Sequence, residues 1–421
     1  MKETSCQPAR AVSALIEGPA ENMPELSERL NTPISTAELE RRWKAVRAAM
    51  ERDRIDVLVM QNNNDHMGGY VKYFTDIPAG NGYPVTVVFP RDDLMTVVMQ
   101  GPFGGSEALT AAGDGVRRGV KRVLTTPSYA SAFYTNDYDP ELAASALVPY
   151  AKGTIGLVCT YQMSLAMGES LKQRFAGARF VDASELVDRI KAIKSEEEME
   201  LIVRTARMQD GAMKAAFDAI RPGMRDADVV AAAQFYSQTH GSEQGLYLCA
   251  SAPLGTPMKF APKHMQNRVI KAGDYVALLV EDSGPGGFYT ELGRNCVVGK
   301  APQQMQDELA FTLESRRLTL DLLKPGTPAK EVWDKFNDFM RRNGRPQETR
   351  LYCHGQGYDL VERPLIRHDE TMAIEKDMNI VVHPTYIHNG MLSWVCDNYL
   401  IGSNGPGERL HRFPETIIEV G

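Results

Sequence analysis

Three apolar runs between Leu351 and Ile401 each carry a side chain able to bind a metal or move a proton. His354 stands in Leu351-Tyr-Cys-His-Gly-Gln-Gly-Tyr358 and His383 in Ile380-Val-Val-His-Pro-Thr-Tyr386. Cys396 and Asp397 end Trp394-Val-Cys-Asp397. Val381-Val382 and Leu400-Ile401 read as strand interiors bounded by Gly and Pro. An ionisable group inside such a run is costly unless it has a partner. One histidine there reads as a satisfied core residue, whereas three such groups on neighbouring strands point to a site.

A second constellation lies upstream. Val276-Ala-Leu-Leu-Val280 runs into Glu281-Asp282-Ser-Gly-Pro-Gly-Gly287, and Phe288-Tyr-Thr-Glu291-Leu-Gly-Arg294 returns. This is a β-hairpin with a Gly-rich tip and an acid on each arm. Glu281 and Glu291 are placed to face each other, and such a pair needs a cation, a proton or a substrate ammonium between them. A glycine turn flanked by solvated acids is the plainer alternative. A phosphate loop is disfavoured, because no Lys-Ser/Thr follows. A one-residue slip exchanges Glu281 for Asp282 on the inner face, so the sequence leaves that choice open. Lys259 and His264, in the Pro-rich stretch Pro253–His264, are either pocket groups or exposed loop cations.

These groups must be positioned by a framework. Ser35-Thr-Ala-Glu opens a helix through Trp43, Val46 and Met50, with a Ser or Thr cap. Strands are expected at 55–60, 84–89, 94–99, 155–158 and 180–182, the second and third joined across Pro90-Arg-Asp-Asp93. A helix follows from Ser184. Alternating strands and helices make residues 1–190 an α/β domain. The charged run Lys191–Met199 marks a boundary, after which a long helix carries Met199, Ile202, Val203, Ala206 and Met213 on one side. Pro222-Gly223 stops that helix, and another runs to about Gln238. Residues 246–300 read as short strands, and helices follow at 305–323 and 329–343. Residues 191–421 are therefore α+β, with paired helices around a mainly antiparallel sheet. Residues 1–35 read as an arm lying on another surface.

The chain has 421 residues, enough for two domains, with 43% hydrophobic and 24% charged residues. A formal charge of −7 without any Lys/Arg run argues against nucleic acid as a partner. No apolar stretch approaches the about 18 residues of a membrane span. Met1-Lys-Glu-Thr-Ser-Cys6 lacks the apolar segment of a signal peptide. Six cysteines without CxxC spacing fit reduced thiols in a cytoplasm.

The order of these features resembles the pita-bread superfamily of methionine aminopeptidases, Xaa-Pro peptidases and creatinase. The resemblance rests on Lys191–Met199 before a long helix, Gly273-Asp274 before a strand, the two-acid hairpin, His354-Gly-Gln-Gly357, the Val382-His-Pro-Thr-Tyr386 segment and the Asp-bearing strand at 397. It covers about 191–421, and the first half is similar to the N-terminal domain of the prolidase and creatinase branch. Arg412-Phe-Pro414 and Ile417–Val420 resemble the ends of creatinase, ectoine hydrolase and the pita-bread dimethylsulfoniopropionate lyases. The resemblance implies a smaller α/β N-terminal domain and a pita-bread catalytic domain. It also implies a homodimer in which one N-terminal domain helps to close the other pocket. Trp43, His66, Tyr70 and Tyr73 are candidates for that lid, although each reads first as an ordinary core or loop residue.

The peptidases of this superfamily hold two metals with two Asp, one His and two Glu. The matching positions are Glu281 or Asp282, Glu291, His354, His383 and Cys396, of which His354 alone keeps its type. The dinuclear centre is therefore not expected. In the favoured reading the pocket is metal-free and cleaves a C–N bond of a small zwitterionic compound, as in creatinase. His354 and His383 are then the acid/base pair, their basicity raised by the carboxylates, and Glu281 and Glu291 hold the substrate cation. Lys259, His264, Tyr358, Glu362, Arg363, Cys396 and Asp397 are the substrate-binding candidates, Arg363 for a carboxylate. Alternatively, Glu291, His354 and His383 hold one iron or zinc for hydrolysis or a lyase reaction, with Cys396 or Asp397 in reserve. A diverged Xaa-Pro peptidase and a non-catalytic binding protein complete the alternatives.

Overall fold

The computed structural model describes residues 32–64, 66–78, 80–110 and 115–421. The expected arm lies outside the described residues up to residue 31, as does Cys6.

The first half is built on a seven-stranded sheet. Its order is Gly105–Ala108, Val120–Thr126, Met95–Gln100, Val85–Pro90, Val57–Asn62, Thr154–Val158 and Arg179–Asp182. Side chains alternate across the central strand. Leu58 and Met60 meet Leu39, Val46 and Phe74 on one face, while Val57 and Val59 meet Ala143, Leu147 and Met167 on the other. Because both faces are covered, the strand reads as an unbroken apolar run. Thr36–Asp53 is helical as its spacing requires, with Ser35 Oγ accepting from Glu38 N at 3.1 Å. The hairpin expected across residues 90–93 forms, with Val88 paired to Thr96.

The second half opens with the Glu196–Ala219 helix, whose N-terminus is closed by a reciprocal Ser195–Glu198 capping box. Residues 244–298 hold three ten-residue strands rather than short ones: Gln244–Pro253, Asp274–Ser283 and Tyr289–Val298. They form one sheet with Ile418–Val420 at its edge. A second sheet runs in the order Glu362–Leu365, Cys353–Gly355, Asn379–Val382, Asp397–Gly402 and Gly405–Arg409. The helices Glu196–Ala219 and Asp226–Thr239 pack on the outer face of the first sheet through Met213, Phe217, Val229 and Val230. Gln303–Leu322 and Ala329–Arg342 flank the second, with Val332 and Phe336 among its buried residues. A two-way bridge between Gly293 and Cys396 joins the sheets, so their inner faces meet.

The seam between the halves is buried and ionic. Arg42 bonds Glu38 and Glu198, each at 2.8 Å, and reaches the Tyr358 hydroxyl at 3.3 Å. Lys191 Nζ lies 2.7 Å from Asp359, and Lys194 Nζ 2.7 Å from Glu362. Tyr73 is stacked under the Arg42 guanidinium, Tyr70 donates to Asp188, and Trp43 Nε1 donates to Phe74 O. Within this chain Trp43, Tyr70 and Tyr73 therefore serve the core and the seam, and the His66 carbonyl accepts from Leu360 N.

Candidate functional site

The hairpin register decides which acid faces inward. Glu281 stands opposite Glu291, and Asp282 opposite Thr290. Asp282 points to the helix side, taking bonds from Gln209 at 2.7 Å and Tyr247 at 2.7 Å. Glu281 and Glu291 share the inner face. The chain turns between Ser283 and Tyr289 through Gly286 and Gly287, both in the left-handed region that favours glycine. The strand Cys353–Gly355 brings His354 to the same face, and the end of Asn379–Val382 delivers His383.

His354 Nδ1 lies 2.9 Å from Gly355 O. A carbonyl can only accept, so Nδ1 carries the proton and Nε2 presents a lone pair. That Nε2 lies 3.8 Å from Glu291 Oε2. The His383 ring stands 5.2 Å from the His354 ring, tilted by 67°. One donor atom from each of Glu291, His354 and His383 lies within 4.8 Å of the others, and all three residues are buried. Metal–ligand bonds of about 2.0–2.2 Å bring tetrahedral donors within about 3.5 Å of each other, so a small inward movement closes the set around one ion. Among the described residues this is the one such group.

Electrostatics agree with a cation site. Burial, with Glu291 beside it, pushes the Glu281 carboxyl well above its ordinary range. Burial also raises Glu291 to about 7, although the Cys396 thiol and the Arg350 guanidinium pull it down. Burial lowers His354 to about 4 and His383 well below the ordinary imidazole value. This reverses the expectation that the carboxylates raise imidazole basicity, because lost hydration dominates and the Arg350 charge adds to it. Neutral imidazoles make a poor acid/base pair near neutrality, but they are the form that ligates metals. The expectation of a pocket without metal thus finds no support, and a group of residues suited to a metal is present.

Two ions need carboxylates shared between them. Here imidazole stands at His383 and a thiol at Cys396, and burial holds that thiol well above its ordinary value. The set fits one ion and does not fit the two-metal arrangement.

Other expected members of the site are placed elsewhere. Asp397 points away from the inner face to Arg294 at 2.8 Å, Arg316 at 2.7 Å and Arg409 at 3.3 Å. Burial would raise its carboxyl, but Arg294, His411 and Arg316 hold it well below the carboxylate range. Glu362 is committed to Lys194 and Lys191, so it is a seam residue. The Arg363 guanidinium is filled by Glu370 at 2.5 Å and is not free for a ligand carboxylate. Tyr358 is buried against Phe288, with ring centroids 4.1 Å apart, and takes the Arg42 bond. Lys259 and His264 are exposed, on the loop whose Phe260 packs edge-on to Trp394. Cys396 stays at the site, in hydrogen-bond contact with Glu291.

Two contributors escaped the sequence reading. Arg350 is exposed, yet its charge acts on Glu281, Glu291, His354 and His383. Its place four residues before His354 was the available signal. Gln356, inside the His-Gly-Gln-Gly turn, donates to Glu281 Oε1 at 3.0 Å. Ser283 and Tyr289, the next inward pair on the hairpin, line a cleft at the domain seam with Gly68, Gly69 and Lys72.

The creatinase/prolidase N-terminal domain matches residues 42–193, and metallopeptidase family M24 matches residues 200–409. The Xaa-Pro dipeptidase of Pyrococcus furiosus is 26% identical over 259 residues, covering 60% of this chain and 72% of that protein. An uncharacterized hydrolase/peptidase of Sinorhizobium fredii is 27% identical over 330 residues, covering 75% and 79%. Among solved structures, the X-Pro aminopeptidase of Thermotoga maritima aligns with a TM-score of 0.74 at 16% identity, over 90% of this chain and 99% of that one. The Pyrococcus horikoshii prolidase gives 0.68 at 18% identity, over 89% and 99%. These likenesses show a pita-bread fold with its smaller α/β partner. The chain belongs to metallopeptidase family M24, in the two-domain form that begins with a creatinase/prolidase N-terminal domain.

Proposed function

We propose that the protein is a hydrolase that cleaves a C–N bond of a small zwitterionic nitrogen compound at a centre of one metal ion. The observation that carries this reading is the convergence of Glu291, His354 and His383 within 4.8 Å. Two imidazoles and one carboxylate suit zinc or ferrous iron. Such an ion, when bound, polarises the scissile carbonyl and lowers the pKa of a water. The chain's own residues do the rest. Glu281, opposite Glu291 and outside the three-donor set, accepts the substrate's ammonium. Arg350 draws the substrate's carboxylate toward the pocket. Burial of Glu281, Glu291, His354 and His383 strengthens each contact by excluding water.

The relatives named Xaa-Pro dipeptidase make dipeptides ending in proline the first compounds to try, before guanidino and ureido compounds. We take the protein to act as a homodimer, which light scattering on the eluting protein tests. The test of function is amine release by zinc- or iron(II)-loaded protein. Release of both fragments with uptake of one water supports hydrolysis, and an unsaturated product would favour a lyase. If a metal-loaded protein cleaves none of these classes, a non-catalytic binding role replaces the proposal.

A further inference from the structure

Behind Glu281 lies a chain of three buried side-chain amides whose polarity is fixed. Gln356 Nε2 lies 3.0 Å from the carbonyl of Leu360, so that atom must be the donor. The same nitrogen lies 3.0 Å from Glu281 Oε1. At the other end, the Glu291 backbone N–H donates to Asn398 Oδ1 at 2.8 Å, so that atom must be the acceptor. Asn398 Nδ2 is then the donor to Gln356 Oε1 at 2.9 Å and to Asn379 Oδ1 at 3.2 Å. Asn379 Nδ2 donates to Gln356 O at 3.0 Å, which fixes the third amide. Three backbone groups thus assign every oxygen and nitrogen without conflict. Gln356, Asn379 and Asn398 are each no more than 1% exposed, so water offers no alternative partner.

A buried network in which every member is satisfied holds its groups in one arrangement. Here the arrangement is directional. Asn398 holds the Gln356 oxygen, which turns the Gln356 N–H toward Glu281. It also anchors the backbone of Glu291, the carboxylate of the three-donor set. One oxygen of Glu281 takes this bond, and the carboxyl is also in hydrogen-bond contact with Glu291 across the hairpin.

We propose that Gln356 is a positioning residue that holds Glu281 Oε1 in the amide chain and so fixes the orientation in which the Glu281 carboxylate meets a substrate ammonium. This rests on the proposed function for the presence of an ammonium in the substrate. It adds the residue that sets its orientation, and hence selectivity for a free amine over a blocked one. Gln356 touches neither the three donors nor the reacting bond, so it acts through Glu281.

The test uses the zinc-loaded full chain and two probes, glycyl-proline and N-acetyl-glycyl-proline, with binding followed by calorimetry and turnover by proline release. Wild type is expected to favour the free amine about 30-fold or more in Kd or KM. Gln356→Met and Glu281→Gln are expected to lose most of that preference, with the double variant no worse than either alone. For Gln356→Met the loss should fall on KM, with kcat changed less than about threefold and zinc content unchanged, while Glu281→Gln is judged on the lost preference alone. Gln356→Leu removes the same donor with a different side-chain shape, so it reports on the same bond if the Met variant fails to fold. Wild type that does not distinguish the probes overturns the proposal, as does a folded Gln356 variant that keeps the preference. Absence of proline release with the binding preference intact would count against the hydrolytic reading and leave the positioning role standing.

Discussion

The Nε2 atom of His354 lies 3.8 Å from Oε2 of Glu291, with its opposite ring nitrogen bonded to Gly355 O at 2.9 Å. That second bond keeps the lone pair aimed at the gap, as an outer partner does for a metal-bound histidine. His354→Ala should therefore lower zinc affinity by at least about 100-fold, beyond the about 10–100-fold typical of losing an outer partner. Turnover should fall to background while the circular dichroism spectrum stays that of the wild type. Competition with a chelator of known affinity measures the first effect. Retained turnover would remove His354 from the centre.

Cys396 touches Glu291 but is not one of the three converging donors. Cys396→Ser keeps a group that can donate to the same carboxylate. It should bind zinc with an affinity within about fivefold of wild type, and the cobalt(II)-loaded wild type should lack a thiolate charge-transfer band. A strong near-ultraviolet band that disappears in the Ser variant would make the thiol a ligand.

Asp397 is adjacent in sequence to Cys396 but serves stability. It is fully buried among Arg294, Arg316 and Arg409. Asp397→Asn leaves buried guanidinium groups uncompensated and should cost about 3–5 kcal/mol. Urea unfolding measures it, with the midpoint lowered. A change below about 1 kcal/mol would show that the arginines find other partners.

The seam supplies a pH dependence. Burial would raise the Glu362 carboxyl, but Lys191 and Lys194 outweigh it and hold it at about 2. The unfolded carboxyl titrates near 4.3. A depressed carboxyl contributes stability that is present above the unfolded value and is lost as pH falls from there toward the folded value. Unfolding free energy should therefore drop between about pH 5 and pH 2. In Glu362→Gln the stability at neutral pH should be lower by about 3 kcal/mol and this acid limb correspondingly flatter. An unchanged acid limb would assign the loss to other carboxylates.

Much of the frame was legible because its signals are local. Ser195 with Glu198 announces the long helix, and the glycines at 284, 286 and 287 announce the hairpin. The pairing of Glu281 with Glu291 follows from the turn, yet the choice between Glu281 and Asp282 needed the register. Asp397, Glu362 and Tyr358 were misplaced for one reason. Arg409 apart, the partners Arg294, Arg316, Lys194 and Arg42 lie from 81 to 316 residues away, and their own sequence context is ordinary. The short strand Gly105–Ala108 went unread because three of its four residues are exposed and lack apolar alternation. The lowered basicity of His354 and His383 depends on burial, which the spacing of two histidines does not reveal.

Metal content tests the centre most directly. Protein loaded with zinc or iron(II), freed of excess metal and analysed by elemental mass spectrometry should hold about one ion per chain, and His354→Ala and His383→Ala should hold close to none. Two ions per chain, or a wild type that retains no metal after loading, would contradict a mononuclear site at Glu291, His354 and His383.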